Sequence, residues 1–317
     1  MGDRYRKYSN YLKDKYGCKV YKLPVNLPVT CPNRDGELGT GGCTFCGEKG
    51  AGFESLPSFM PVREQLEKNM GYIRGKYNAV KFIAYFQNFS NTYLEPAVLM
   101  EYLTDACIDD VVEIYVSTRP DCISDRHLDA VKKIQEDKRI SVTFEIGLQT
   151  VNYHSLDKVN RGHSLAEFID CVLRVKSFGF DVCSHVILDL PWDNMLDVIE
   201  NAKINSALRV TQVKLHSLYI VKGTPMAEAF LRDEIRLVSM DGYIERVIAF
   251  LEYLSPEIVV QRLIGRAPEE ETLLANWNTS WWKVRDMIEA RMEERGTWQG
   301  KKSDYLGGKA VRKFLRE

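Results

Sequence analysis

No stretch of the 317 residues approaches the roughly eighteen consecutive apolar positions that a membrane-crossing helix needs, so no membrane span is expected. The amino terminus, MGDRYRKYSNYL, carries charge but no apolar run behind it, which argues against a secretory leader, and Arg6 stands where a myristoylation signal requires Ser or Thr. Internal repeats and low-complexity tracts are missing too, which removes solenoids and propellers from consideration, and no Pro, Gly or Ser-rich linker cuts the chain into independent units. Net charge is also scarce, at −1. These absences, with 45% hydrophobic residues, describe a globular protein with a sizeable core, soluble and cytoplasmic.

Near-neutrality hides an uneven distribution. Met1 to Lys22 carries seven Lys/Arg against two acids, and Gly300 to Glu317 carries six against two. Basic ends of this kind suit a polyanion such as RNA. Eight cysteines in so long a chain do not make the framework of a small secreted domain, so metal binding or plain burial is expected before disulfides.

Runs rich in β-branched and aromatic residues recur at 80–87, 111–119, 140–149, 181–190, 210–220 and 257–264, with a first strand near KVYKLPV, and helical patterns separate them. The clearest helix lies in SLAEFIDCVLRVKSFG, where Ser164 and Glu167 form a capping box and Gly179 stands at the carboxy-terminal cap. This alternation predicts a parallel sheet with right-handed crossovers. Within 140–149, Val142, Phe144, Ile146 and Leu148 share one face while Ser141, Thr143, Glu145, Gly147 and Gln149 share the other. Glu113, Tyr115, Ser117 and Arg119, and Gln212, Lys214 and His216, repeat the polar face. Such faces converge inside an open barrel, so the expected fold is α/β, a partial (β/α)6-type TIM-like barrel with amino- and carboxy-terminal extensions. The barrel domain is placed at 1–271 and a helical extension at 272–317; in the latter Trp277, Trp281 and Trp282 fall at helical spacing and read as core packing.

The chemistry concentrates in TCPNRDGELGTGGCTFCGEKGAG, residues 30–52. Eleven residues separate Cys31 from Cys43, two separate Cys43 from Cys46, and Gly36, Gly39, Gly41 and Gly42 let the long arm curl back. Three thiolates are one short of a closed zinc site, for which Cys18 is the nearest fourth ligand; an iron-sulfur cluster would instead leave one iron open.

A loop of this kind after the first strand of a β-α barrel resembles the radical S-adenosylmethionine enzymes, whose three cysteines hold a 4Fe-4S cluster. Their usual spacing is C-x3-C-x2-C. The longer C-x11-C-x2-C here, with CPNRDG leading and GGCTFC closing, resembles the elongator-related branch and its YhcC/YtqA group. AYFQNFSNTY, STRPDCIS, EIGLQTVNYHSLDKVNRGHS, HVILDLP, KLHSLYIVKGTP and RGTWQG follow in that group's order. Two segments depart from it: Asp189, Leu190, Pro191, Trp192 and Asp193 replace a Gly-Leu-Pro-Gly-Glu turn, and Tyr85, Phe86, Gln87 and Asn88 replace a Gly-Gly-Glu motif.

The resemblance implies that Cys31, Cys43 and Cys46 ligate the cluster and that S-adenosylmethionine chelates its open iron. It places Gln87 and Asn88 at the cofactor's amino group, Arg161 at its carboxylate, Glu145 and Gln149 at its ribose, and Ser117 and Arg119 in the same pocket. His185, Lys214 and His216 point into the chamber by alternation, where they could orient an anionic substrate or move a proton. Cys183 is either buried or a hydrogen-atom donor, and His154 and His163 receive no ligand role. The implied activity is reductive cleavage of S-adenosylmethionine to a 5′-deoxyadenosyl radical. Its implied substrate is a wobble uridine of transfer RNA, converted from 5-carboxymethylaminomethyl to 5-aminomethyl before a separate methyltransferase acts. Flavodoxin or ferredoxin is the expected electron donor. A radical reaction on a small molecule or another RNA site, and a zinc-stabilised RNA-binding module, are the alternatives.

Overall fold

A computed structural model describes residues 2–48, 50, 52, 54–267 and 269–314, with Glu269 described by its backbone alone. Lys49 and Ala51 of the cysteine loop, and the last three residues of the expected extension, lie outside the described residues.

Helix α1 (Tyr8–Tyr16) precedes β1 (Val20–Val25), and the chain then alternates through α2 (Val62–Tyr77), β2 (Lys81–Phe86), α3 (Pro96–Asp105), β3 (Val111–Thr118), α4 (Asp125–Lys138) and β4 (Ser141–Gln149). The second half runs α5 (Tyr153–Lys158), α6 (Leu165–Ser177), β5 (Asp181–Ile187), α7 (Met195–Ala207) and β6 (Gln212–His216). It ends with β7 (Ile220–Val221), α8 (Pro225–Leu231), α9 (Met240–Tyr253), β8 (Val259–Val260), β9 (Thr272–Leu274) and α10 (Trp281–Glu294). Strands β1 to β6 pair in chain order, each parallel to the last, and β8 joins beside β6.

The sheet is curled. In a flat sheet β1 and β4, three positions apart, would be separated by roughly 14 Å. Here Lys22 Nζ on β1 reaches Glu145 Oε1 on β4 at 2.5 Å. The alternation inside the strands explains the curl: Val142, Phe144, Ile146 and Leu148 join the apolar layer under the helices, and the opposite, polar face is wrapped inward. The barrel stays open between β1 and β8. The segment before α1 crosses that gap, with the Val260 amide donating to the Arg6 carbonyl at 2.9 Å, and α1 then plugs the floor by burying Leu12 in one cluster with Ile83, Tyr85 and Tyr115.

Local signals are met where backbone chemistry is local. Ser164 and Glu167 close the capping box of α6, and Gly179 takes φ +81 just past its end. The 210–220 run, by contrast, divides: β6 stops at His216, and β7 pairs antiparallel with β9. The buried Asp189 carboxylate accepts from the Leu218 amide at 2.7 Å and holds the turn between them. The three tryptophans do not share a helix. Trp277 sits in a left-handed turn at φ 53, packed on Tyr243 at 5.2 Å, while Trp281 and Trp282 begin α10 and are partly exposed. Left-handed Asn276 and Asn278 flank Trp277 and break the helical period that the spacing predicted.

Candidate active site

The cysteine loop follows β1 and folds over the carboxyl ends of the strands. Its long arm makes a small turn, with Asp35 bridged to Thr40. The loop is tied to the NRG segment after α5: Asn33 Nδ2 donates to the Asn160 carbonyl at 2.5 Å and Asn160 Nδ2 to the Gly42 carbonyl at 2.9 Å. Gly42 is required here, since it has φ +81 and a Cβ would stand 3.0 Å from Arg34 Nε.

Cys31, Cys43 and Cys46 thereby line one inner cavity of about 200 Å³. Each faces a guanidinium. Arg34 Nη2 lies 3.3 Å from Cys46 Sγ, Arg161 Nη1 lies 3.5 Å from Cys43 Sγ, and Arg119 Nη1 approaches Cys31 Sγ to 4.0 Å. Burial, and then Cys43, push the Cys46 thiol up, while Arg34 opposes them. Cys18 lies before β1 at the opposite end of the strand, packed with the α1 tyrosines. Cys18 is therefore out of reach as the fourth ligand, which removes the zinc site built on it.

Three cysteines with cationic donors on each sulfur fit a three-thiolate 4Fe-4S cluster, because guanidinium groups favour thiolates and offset the cluster's negative charge. When bound, the reduced cluster supplies the electron that cleaves S-adenosylmethionine to a 5′-deoxyadenosyl radical.

The same cavity is lined by Gln87, Ser117, Arg119, Glu145, Gln149, Arg161, His185, Lys214 and His216. Asn88 is the exception among the expected residues. Its side chain turns under the cysteine loop, donating to Asn26 Oδ1 at 3.2 Å, and a Cβ on Gly52 would fall 2.9 Å from it. Arg161 is held by His163 Nε2 at 2.8 Å and by the Gly147 carbonyl at 3.1 Å, beside the Cys43 sulfur. Burial, then Arg161 and Arg119, bring His163 down to about 3, so it is a neutral support. Exposed His154 is no part of the site. Gln149 enters at φ 71, where β4 breaks register with β5. Ser117 Oγ donates to the Tyr85 hydroxyl at 3.2 Å.

Glu145 is fully buried and saturated. Its Oε1 takes Lys22 at 2.5 Å and Gln261 Nε2 at 3.1 Å; its Oε2 takes His185 Nε2 at 2.6 Å and Lys214 Nζ at 3.0 Å. Burial alone would raise its pKa, but Lys214, then Lys22 and His185, hold it well below the usual carboxylate range. Burial lowers His185 to about 4 and, joined by Arg262, takes His216 well below its ordinary value, so both imidazoles are neutral at neutral pH. Lys214 comes down to about 8, through burial and then Lys22 and Arg262, against the pull of Glu145. Cys183 is wholly buried among these groups, and burial pushes its thiol up.

Sequence reasoning missed Arg34, Lys22, Tyr85 as a partner, Gln261 and Arg262. Lys22 had a signal, as a lysine inside the apolar run VYKLPV, and so did Gln261 and Arg262, a polar pair inside the 257–264 run expected as a strand, although the strand itself ends at Val260. The basic amino-terminal residues prove to be used internally, Arg4 on Glu293, Arg6 on the Glu257 carbonyl and Lys7 on Glu289.

This geometry agrees with the comparisons. The model for the radical SAM superfamily matches residues 28–203, and that for the Radical_SAM C-terminal domain matches 210–294. YtqA of Bacillus subtilis is 34% identical over 94% of this chain and 92% of its own length, and YhcC of Escherichia coli K12 is 30% identical over 90% and 91%. The structure of the archaeal Methanocaldococcus infernus Elp3 superposes with a TM-score of 0.66 at 15% identity, covering 88% of this chain and 64% of the other, and so shares the fold. With three thiols converging over an open parallel half-barrel, and relatives matched along nearly the whole length, the chain belongs to the radical SAM superfamily, in its elongator-related branch, and is a radical S-adenosylmethionine enzyme.

Proposed function

We propose that this enzyme acts in the cytoplasm on a wobble uridine of transfer RNA, converting its 5-carboxymethylaminomethyl group to 5-aminomethyl before a separate methyltransferase acts, with flavodoxin or ferredoxin as electron donor. The observation that carries the reading is a second, outer cleft of about 1140 Å³, which meets the inner cavity at Tyr85, Gln87, Lys214 and Arg262. Lys13, Lys19, Tyr8, Tyr21 and Trp281 line its outer part. Cations beside aromatic rings suit a ribonucleotide strand, the first for phosphates and the second for bases.

Breaking the C–N bond of that side chain would begin with hydrogen abstraction from the glycine-derived CH2; the carbon radical must then pass one more electron to a one-electron acceptor such as the oxidised iron-sulfur cluster, and water must add to the resulting iminium before the 5-aminomethyl group and glyoxylate separate. The chain's own part is to hold that carbon, and α1, whose Leu12 packs on Ile83, Tyr85 and Tyr115, backs the chamber. Neutral His185, on Glu145, is placed to exchange a proton with the chamber. The test is a comparison of transfer-RNA nucleosides from cells with and without the gene. Loss of 5-aminomethyl-derived nucleosides with accumulation of the 5-carboxymethylaminomethyl form is expected. Unchanged wobble uridines would move the function to a small molecule or another RNA site.

A further inference from the structure

We infer that Arg262, with Lys214, forms a carboxylate-binding subsite where the outer cleft meets the inner cavity, and that this subsite selects substrates by an anionic group. The inference rests on the proposed substrate for the identity of that group, but the subsite itself rests on charge and place.

Inside the barrel three cations, Lys22, Lys214 and Arg262, face one carboxylate, Glu145. Lys22 and Glu145 are closest, at 2.5 Å, and Lys22 is further held over the Tyr115 ring at 3.8 Å. Lys214 shares the same carboxylate and also donates to the Tyr85 hydroxyl at 2.7 Å. Arg262 has no such partner. Among the described residues no carboxylate is paired with it; its Nη2 lies 2.7 Å from Nδ1 of His216, a neutral acceptor, and its buried Nε has no hydrogen-bond partner. A guanidinium nitrogen withdrawn from water and left without a partner is costly unless an anion joins the group, and the planar fork of the half-buried Arg262 matches a carboxylate.

Position separates this group from the arginines of the thiol cluster. Arg34, Arg119 and Arg161 line the inner cavity beside the sulfurs and are absent from the outer cleft, whereas Arg262 and Lys214 line both. A nucleotide side chain entering from the cleft meets Arg262 and Lys214 at the junction of the two cavities. A terminal carboxylate held there would fix the adjoining CH2 inside the chamber, so the anion acts as the handle by which the reacting carbon is placed.

The experiment compares binding of two anticodon stem-loop RNAs, one carrying 5-carboxymethylaminomethyluridine and the other its uncharged amide. Wild-type protein with its cluster should prefer the acid by about tenfold or more, Arg262→Gln should bind both alike, and Arg262→Lys should fall between. Equal wild-type affinity for acid and amide, or a preference that survives in Arg262→Gln, would overturn the subsite. A second titration uses N-methylglycine alone, followed by the His216 imidazole NMR signals. A saturable shift in wild type that Arg262→Gln abolishes supports the subsite even if transfer RNA proves not to be the substrate. A response unchanged in the variant, or absent in wild type, counts against it. Turnover of the modified RNA without acid-over-amide preference would keep the transfer-RNA reading and discard the subsite.

Discussion

At each sulfur of the loop stands a guanidinium, and this pairing has a consequence at the residue scale. Replacing Cys31, Cys43 or Cys46 with Ala should abolish iron binding and cofactor cleavage, whereas Cys18→Ala, at the far end of β1, should retain both; iron content after anaerobic reconstitution is the measurement. Glu145 behaves differently. As the shared anion of Lys22, Lys214 and His185, its replacement by Gln leaves two interior ammonium groups uncompensated, and such a broken pair costs about 3 to 5 kcal/mol. Urea unfolding of Glu145→Gln should show that loss, and a variant as stable as wild type would mean that the lysines find water. Lys214 sets a pH limit. Because its pKa is displaced downward to about 8, the ammonium is present below that pH and is lost above it. Turnover that uses Lys214 as a cation should therefore decline between about pH 7 and about pH 9, well before an exposed lysine titrates. A profile flat across that range would remove Lys214 from substrate binding.

Elements supply what single residues cannot. Helix α1 lies in the basic amino-terminal segment, which by composition alone suits a polyanion such as RNA. In the fold it is a plug: Leu12 is buried against Ile83, Tyr85 and Tyr115, and the Tyr8 hydroxyl bonds that of Tyr115 at 3.1 Å. Leu12→Ala should cost about 2 to 5 kcal/mol, the range for a buried leucine truncated to alanine, measurable by denaturant unfolding. A change near zero would show that α1 rests on the barrel without closing it. The barrel strands and capped helix α6 were legible because alternation and capping are local. The tryptophan segment was misread because three left-handed residues in succession, Asn276, Trp277 and Asn278, interrupt a period that spacing alone cannot show to be interrupted.

At the scale of the molecule, the open side of the half-barrel and the basic cleft coincide. If RNA lies there, its affinity should fall steeply with salt, and Lys13→Gln with Lys19→Gln should flatten the dependence by about two in the log-log slope. Filter binding over a salt series measures this; an unaltered slope would place the RNA elsewhere. Arg4, Arg6 and Lys7 are less suited to that role, being engaged by Glu293, the Glu257 carbonyl and Glu289. The amino-acid sequence by itself determined the α/β alternation, the inward polar faces and the three-cysteine loop, because each depends on residues near one another along the chain. Only the tertiary structure decided that Lys22, Glu145 and Lys214 share one charge, that Arg262 pairs with no acid among the described residues, and that α1 packs onto the interior tyrosines. Those partners come from strands and helices tens to hundreds of residues apart, and the curl of the sheet, which no local period encodes, is what brings them together.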